Sequence, residues 1–182
     1  MTRSGAGPNR SGEPYAGAMT TALFAGSFDP ITLGHVDLVE RAVRFADEVV
    51  LAVGLNSKKA YRFSHDRRIE MARAAVAGIP RVRVVRADGA LLDCARELGA
   101  DVLVKGVRTG ADLDWELVQS VVNRDLGGVE TVLLPARPEL SIVSSSLVRE
   151  LLALGLDASR YVPAAILPLM TDNGRGEEPR AR

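Results

Sequence analysis

The chain has 182 residues, 47% hydrophobic and 25% charged, a composition that fits one globular domain and excludes intrinsic disorder. Lys and Arg total 23 and so do Asp and Glu, so no net field recruits nucleic acid or an anionic membrane. A single cysteine, Cys94, excludes an internal disulfide framework, and two histidines, His35 and His65, leave little for a Cys- or His-based metal centre. No apolar run approaches the roughly 18–20 residues of a membrane span, and no apolar leader opens the chain, so the expectation is a cytoplasmic protein.

Residues 1–18 are rich in Gly, Pro, Ser and Arg without periodicity, and residues 172–182 are again polar. Both read as disordered tails around a working domain of residues 19–171. Within it, strand-like runs fall at Thr21–Ala25, Glu48–Val53, Arg81–Val85, Asp101–Val104 and Glu130–Leu134. Runs such as VVLAV and DVLV are apolar on both faces, as strands covered from both sides require. Helix-period stretches alternate with them at Gly34–Phe45, Ser64–Ala77, Ala90–Leu98, Ala111–Leu126 and Ser145–Leu154. Gly78, Gly99, Gly127 and Gly155 stand where left-handed helix ends are cheapest. The alternation predicts an α/β fold, a Rossmann-like doubly wound parallel sheet of about five strands. His65 is expected in an exposed first helical turn and Cys94 on a packed helix face.

Ligands of such sheets bind beyond the C-terminal strand ends, so chemistry is expected after each strand. The first is followed by Gly26-Ser27-Phe28-Asp29-Pro30-Ile31-Thr32-Leu33-Gly34-His35. Gly26 permits close approach, Asp29-Pro30 imposes a turn, and Gly34-His35 opens a helix whose N–H groups favour phosphate. Neither the G-x-G-x-x-G fingerprint nor a P-loop G-K-[ST] is present. Spacing alone leaves a plain strand–turn–helix linker with a capping histidine equally open.

The decapeptide GSFDPITLGH resembles the signature of the nucleotidyltransferase superfamily, with its T/H-x-G-H motif at Thr32-Leu33-Gly34-His35. As a whole it is similar to that of the bacterial phosphopantetheine adenylyltransferases. Two further segments resemble the same family in the same order: Lys105-Gly106-Val107-Arg108-Thr109-Gly110-Ala111-Asp112 with Trp115-Glu116 and Asn123, and Ser141-Ile142-Val143-Ser144-Ser145-Ser146 ahead of a helix. The resemblance implies adenylyl transfer from ATP to 4′-phosphopantetheine, giving dephospho-coenzyme A and pyrophosphate. It also implies Mg²⁺ arriving with ATP without a protein ligand, a homohexamer, and coenzyme A as feedback inhibitor.

The resemblance carries roles onto particular residues. His35 would stabilise the transition state at the α-phosphate. Ser27 would meet both substrates, and Lys59, Lys105 and Leu91 would bind phosphopantetheine, with Lys58 as a stand-in for Lys59. ATP would be held by Phe28, Gly106, Val107, Arg108 and Glu116, and by the stretch Leu140, Ser141, Ile142, Val143, Ser144, Ser145 and Ser146. Leu140 departs from a usual aromatic, Trp115 from tyrosine, Val122 from methionine and Leu33 from asparagine. Other superfamily members compete, such as glycerol-phosphate cytidylyltransferases, whose R-T-x-G-I-S-T-[ST] segment SIVSSS does not match, and nicotinate-mononucleotide adenylyltransferases. A nucleotide-binding protein without turnover is the reading from a different class.

Overall fold

Ala22 and Phe24 turn to one side of a sheet while Leu23 turns to the other, and Val49, Leu51 and Val53 alternate likewise with Val50 and Ala52. This period of two feeds two separate cores, which is why the central strands are apolar throughout. The computed structural model describes residues 19–56 and 59–170. The predicted tails and Lys58 lie outside the described residues.

Five parallel strands, β1 (Thr21–Gly26), β2 (Glu48–Gly54), β3 (Val82–Ala87), β4 (Val102–Val107) and β5 (Glu130–Pro135), pair in the order β3-β2-β1-β4-β5. The helices are α1 (Leu33–Ala42), α2 (His65–Val76), α3 (Leu91–Glu97), α4 (Gly110–Gly127), α5 (Ser145–Ala153) and the short α6 (Leu167–Met170). Leu38 and Val39 of α1, Ile69 and Met71 of α2 and Val148 of α5 join the first core. Leu91, Leu92 and Cys94 of α3 pack on the second. This is the expected doubly wound α/β architecture.

The strand order reverses between β1 and β4, and the ladder is shortest there. Strand β1 keeps register with β2 from Thr21↔Glu48 to Gly26↔Val53, but with β4 only at Ala22↔Val102 and Leu23↔Leu103. Beyond these two pairs the C-terminal halves of β1 and β4 separate. A parallel sheet places its ligand crevice at this point.

Three expectations are corrected. Strand β4 does not stop at Val104; it pairs onward with β5 through Lys105↔Leu133, Gly106↔Leu134 and Val107↔Pro135, so Lys105 projects from a strand and not from a loop. The left-handed end of α4 belongs to Gly128 (φ +66), because the helix runs one residue further and absorbs Gly127. His65 is not exposed: its side chain is 8% accessible, with Nε2 2.7 Å from the Val53 carbonyl and Nδ1 2.7 Å from an Arg86 nitrogen. Both partners come from neighbouring strands, which helical periodicity cannot reveal.

Gly106 fixes how closely α1 approaches the sheet. A Cβ added there would lie 2.4 Å from Leu38 Cδ1 in α1. Gly106→Ala is therefore expected to cost about 1–2 kcal/mol through overpacking. Chemical denaturation of Gly106→Ala alone and combined with Leu38→Ala checks this. The second change should recover part of the loss, whereas strictly additive losses would contradict the contact.

Candidate active site

A cleft of about 540 Å³ opens where β1 and β4 part. Gly26 and Ser27 wall it from β1 and its following loop, Lys105 and Gly106 from β4, and His35 and Leu38 from α1. Ser144, Ser145, Ser146 and Arg149 reach it from the start of α5, and Lys59 and Tyr61 from the loop after β2. Phe28, Arg108, Glu116, Leu140 and Val143 complete the predicted residues that line it.

The turn after β1 is held tightly. Phe28 adopts φ +45, a left-handed conformation costing a bulky residue on the order of 1–3 kcal/mol. Its buried ring offsets this by meeting Phe24 and His35 edge-on, at centroid distances of 5.4 and 5.0 Å. Gly26 makes room for the ring, since a Cβ there would stand 3.0 Å from Phe28 Cζ. Asp29, 1% accessible, accepts the backbone N–H groups of Arg62 and Phe63 at 2.9 and 3.0 Å. It thereby ties the Ser27–Phe28 turn to the segment carrying Lys59.

The tautomer of His35 follows from its neighbour. Thr32 N–H donates to His35 Nδ1 at 3.0 Å, with Thr32 Oγ1 2.9 Å from the same nitrogen. A backbone N–H cannot accept, so Nδ1 carries the lone pair and the proton of the neutral ring sits on Nε2. Nε2 has no protein partner among the described residues. Burial, reinforced by the positive charge of Arg108, lowers the His35 pKa from 6.5 to about 4. The ring is therefore a neutral Nε2–H donor at pH 7.

Cations converge on the same space. Lys105 Nζ lies 3.6 Å from Glu116 Oε2, and that carboxylate oxygen is buried with no hydrogen-bond partner. Arg108 is clamped by Asp112, Nε at 3.0 Å and Nη2 at 3.3 Å. Burial pushes the Asp112 carboxyl up, but its bonds to Arg108 and Thr109 outweigh this and hold it below its ordinary value. The clamp holds Arg108 among the residues that line the cleft.

The three serines divide their duties. Ser144 Oγ caps α5 by accepting from Leu147 N–H at 3.1 Å, Ser145 Oγ donates to the Pro30 carbonyl at 2.8 Å, and Ser146 Oγ accepts from Arg149 at 3.1 Å. Their hydroxyls thus fix the helix start against the Pro30 turn. The N–H groups of Ser145 and Ser146, heading the helix, have no intrahelical acceptor and give it anion-binding character.

Four predicted residues fall outside the lining. Val107 continues the ladder to β5, and its carbonyl accepts from Ala136 N–H at 2.8 Å. Ser141 Oγ is turned back on the Pro138 carbonyl at 2.8 Å, and Ile142 is 67% exposed. Leu91 packs with α3 on the second core. The sequence reading missed Arg149, which donates to the Asp29 carbonyl at 2.9 Å, although its position one turn beyond Ser145 was a usable signal. It also missed Arg68, buried beneath the turn.

The cleft's carboxylates offer no metal cage. Asp29 is occupied by two N–H groups, Asp37 is paired with Arg41 and Arg137, and Glu116 faces Lys105. Among the described residues no group of three or more His, Cys, Asp and Glu side chains could hold a metal, and no helix is long and apolar enough to cross a membrane.

An open parallel sheet with an anion-binding rim at its switch point defines a nucleotide-handling domain, and the cytidylyltransferase-like family model matches residues 23–151. A phosphopantetheine adenylyltransferase of Cutibacterium acnes is 47% identical, over 80% of this chain and 92% of that protein. One from Kocuria rhizophila is 48% identical over 85% and 99%, and one from Porphyromonas gingivalis 46% over 78% and 93%. A crystal structure described as a nicotinate-nucleotide adenylyltransferase of Vibrio parahaemolyticus shares the fold, with TM-score 0.63 and 21% identity over 84% of this chain and 92% of that one. The chain belongs to the phosphopantetheine adenylyltransferase family within this cytidylyltransferase-like group.

The depressed His35 pKa has a pH consequence. Between pH 6.5 and about 4 the unfolded chain takes up a proton that the folded one refuses, so stability falls as pH falls through that window and is unaffected above it. An NMR titration should place the His35 midpoint near 4. A midpoint near 6.5 would contradict the desolvated, Nε2-protonated ring.

Proposed function

We propose that the chain transfers the adenylyl group of ATP to the phosphate of 4′-phosphopantetheine, giving dephospho-coenzyme A and pyrophosphate in a cytoplasmic setting. The observation carrying this reading is the gathering of His35, Lys59, Lys105, Arg108 and Arg149 with the α5 N-terminus around one cleft. The acceptor phosphate is its own nucleophile, since its second ionisation, near pKa 6, is largely complete at pH 7. Its oxygen bonds to the α-phosphorus while the bond to the α–β bridging oxygen breaks, and pyrophosphate departs. No side chain needs to remove a proton. The barrier is the repulsion of two anions and the charge that builds on the α-phosphoryl oxygens.

Each part of the rim answers one of these needs. His35 Nε2–H donates to an α-phosphoryl oxygen without itself titrating. Lys59 and Lys105 bind the acceptor phosphate. Arg108, Arg149 and the N–H groups of Ser145 and Ser146 hold the triphosphate, alongside Phe28, Gly106 and Val143. Ser27 stands between the substrates, and Leu140 and Glu116 face the nucleoside. Mg²⁺ carried on the triphosphate would supply charge neutralisation there, with Asp29 and Asp37 of the cleft already engaged by N–H groups and arginines.

We extend the proposal to a homohexamer that coenzyme A inhibits by occupying the product cleft. Helix α4 supports assembly: Trp115 is 63% and Leu126 73% exposed, with Leu117, Val118 and Val121 also exposed. Sedimentation should give six times the chain mass, and a monomer would contradict assembly.

The activity is tested by pyrophosphate release with ATP or CTP, each paired with phosphopantetheine, glycerol phosphate or nicotinate mononucleotide. Release confined to ATP with phosphopantetheine is expected, and release with another pair, or ATP binding without release, would contradict the assignment. His35→Ala should lower kcat roughly 10²–10³-fold while leaving ATP affinity nearly unchanged. Equal loss of both would reduce His35 to a binding role.

A further inference from the structure

Arg68 of α2 is 0% accessible, and its Nε and Nη2 atoms are buried with no partner. An incompletely satisfied guanidinium in a core is costly, and an apolar side chain of similar length would fill the space more cheaply. What Arg68 does make is specific. Its Nη1 donates to the carbonyls of Ser27 at 2.5 Å and Gly54 at 2.9 Å, and its guanidinium lies 4.1 Å from the centre of the Tyr61 ring. These contacts join the ends of β1 and β2 where their loops leave for the cleft.

Peptide geometry gives the Ser27 contact a consequence on the far side. The Ser27–Phe28 bond is trans, so the Ser27 carbonyl and the Phe28 N–H point in opposite directions from one rigid plane. With the carbonyl drawn down to Arg68, the Phe28 N–H faces away from the core, and no acceptor takes it among the described residues. Both Ser27 and Phe28 line the cleft.

We infer that Arg68 is a positioning residue: by holding the Ser27 carbonyl toward the core it presents the Phe28 N–H to the nucleotide's phosphates. The inference deepens the proposed adenylyl transfer and rests on that reading for its effect on rate. Arg68 is fully buried and does not line the cleft. It acts through one peptide plane, and its stacking on Tyr61 keeps the segment bearing Lys59 in register with that plane.

The test uses the full chain as Arg68→Met and Arg68→Lys, with adenylyl transfer kinetics and the ¹⁵N response of the Phe28 amide to ATP alone. In the wild type, ATP should shift that amide. Arg68→Met should abolish the shift and lower kcat/KM for ATP about 10²-fold, the scale of losing one aimed donor. Arg68→Lys, whose ammonium cannot reproduce the planar contact with both carbonyls and the Tyr61 ring, should keep only part of the shift and lose several-fold, up to about tenfold. A space-filling role gives the opposite order, with Met the better replacement, and that order would overturn the inference. So would an intact Phe28 response in Arg68→Met or, if that variant does not fold, an unchanged response and rate in Arg68→Lys. A wild type inert toward ATP with phosphopantetheine sinks the activity assignment, while the amide response to ATP still decides the role of Arg68.

Discussion

Strands β1 and β4 hold each other at Ala22↔Val102 and Leu23↔Leu103 and then part, while β1 and β2 stay in register to Gly26↔Val53. This separation sets the rest of the site. It leaves Lys105 and Gly106 across a gap from Gly26 and Ser27, and α1 enters over the gap because Gly106 has no side chain to keep Leu38 away. The first turn of α1 then brings His35 to the floor of the opening. A sheet fully paired at this junction would have no room for a nucleotide.

The interactions inside the cleft share one character: polar groups are turned outward by partners behind them. Thr32 takes Nδ1 of His35 and leaves Nε2–H outward, and Asp112 steadies Arg108. Ser144 caps the helix whose first N–H groups remain open, and Arg68 draws the Ser27 carbonyl inward. Fixed donors of this kind need little reorganisation when charge develops, which is how a site without a protein nucleophile or base accelerates a reaction.

Much of the fold was legible in the sequence because buried parallel strands and their covering helices leave strong periodic patterns. The strand runs around Val49–Val53 and Val102–Val104 and the serine triplet at a helix start are local signals. What was hidden depends on residues distant in sequence. The extension of β4 through Lys105 and Gly106 looks like a loop until β5 lies beside it. His65 reads as solvated until Val53 and Arg86 close on it, and Arg68, one charge in a charged helical stretch, gives no hint of burial. Of the serine hydroxyls only Ser145 donates inside the protein, to the Pro30 carbonyl, while Ser144 and Ser146 accept and keep their protons, a division that no sequence pattern shows.

The account turns on where the nucleotide's phosphates sit relative to the gap between β1 and β4. A crystal structure with a non-hydrolysable ATP analogue measures this directly. The α-phosphoryl group should lie in that gap within hydrogen-bond distance of His35 Nε2, with the distal phosphates toward the start of α5. Phosphates bound away from the gap, or an imidazole turned so that Nδ1 faces them, would contradict it.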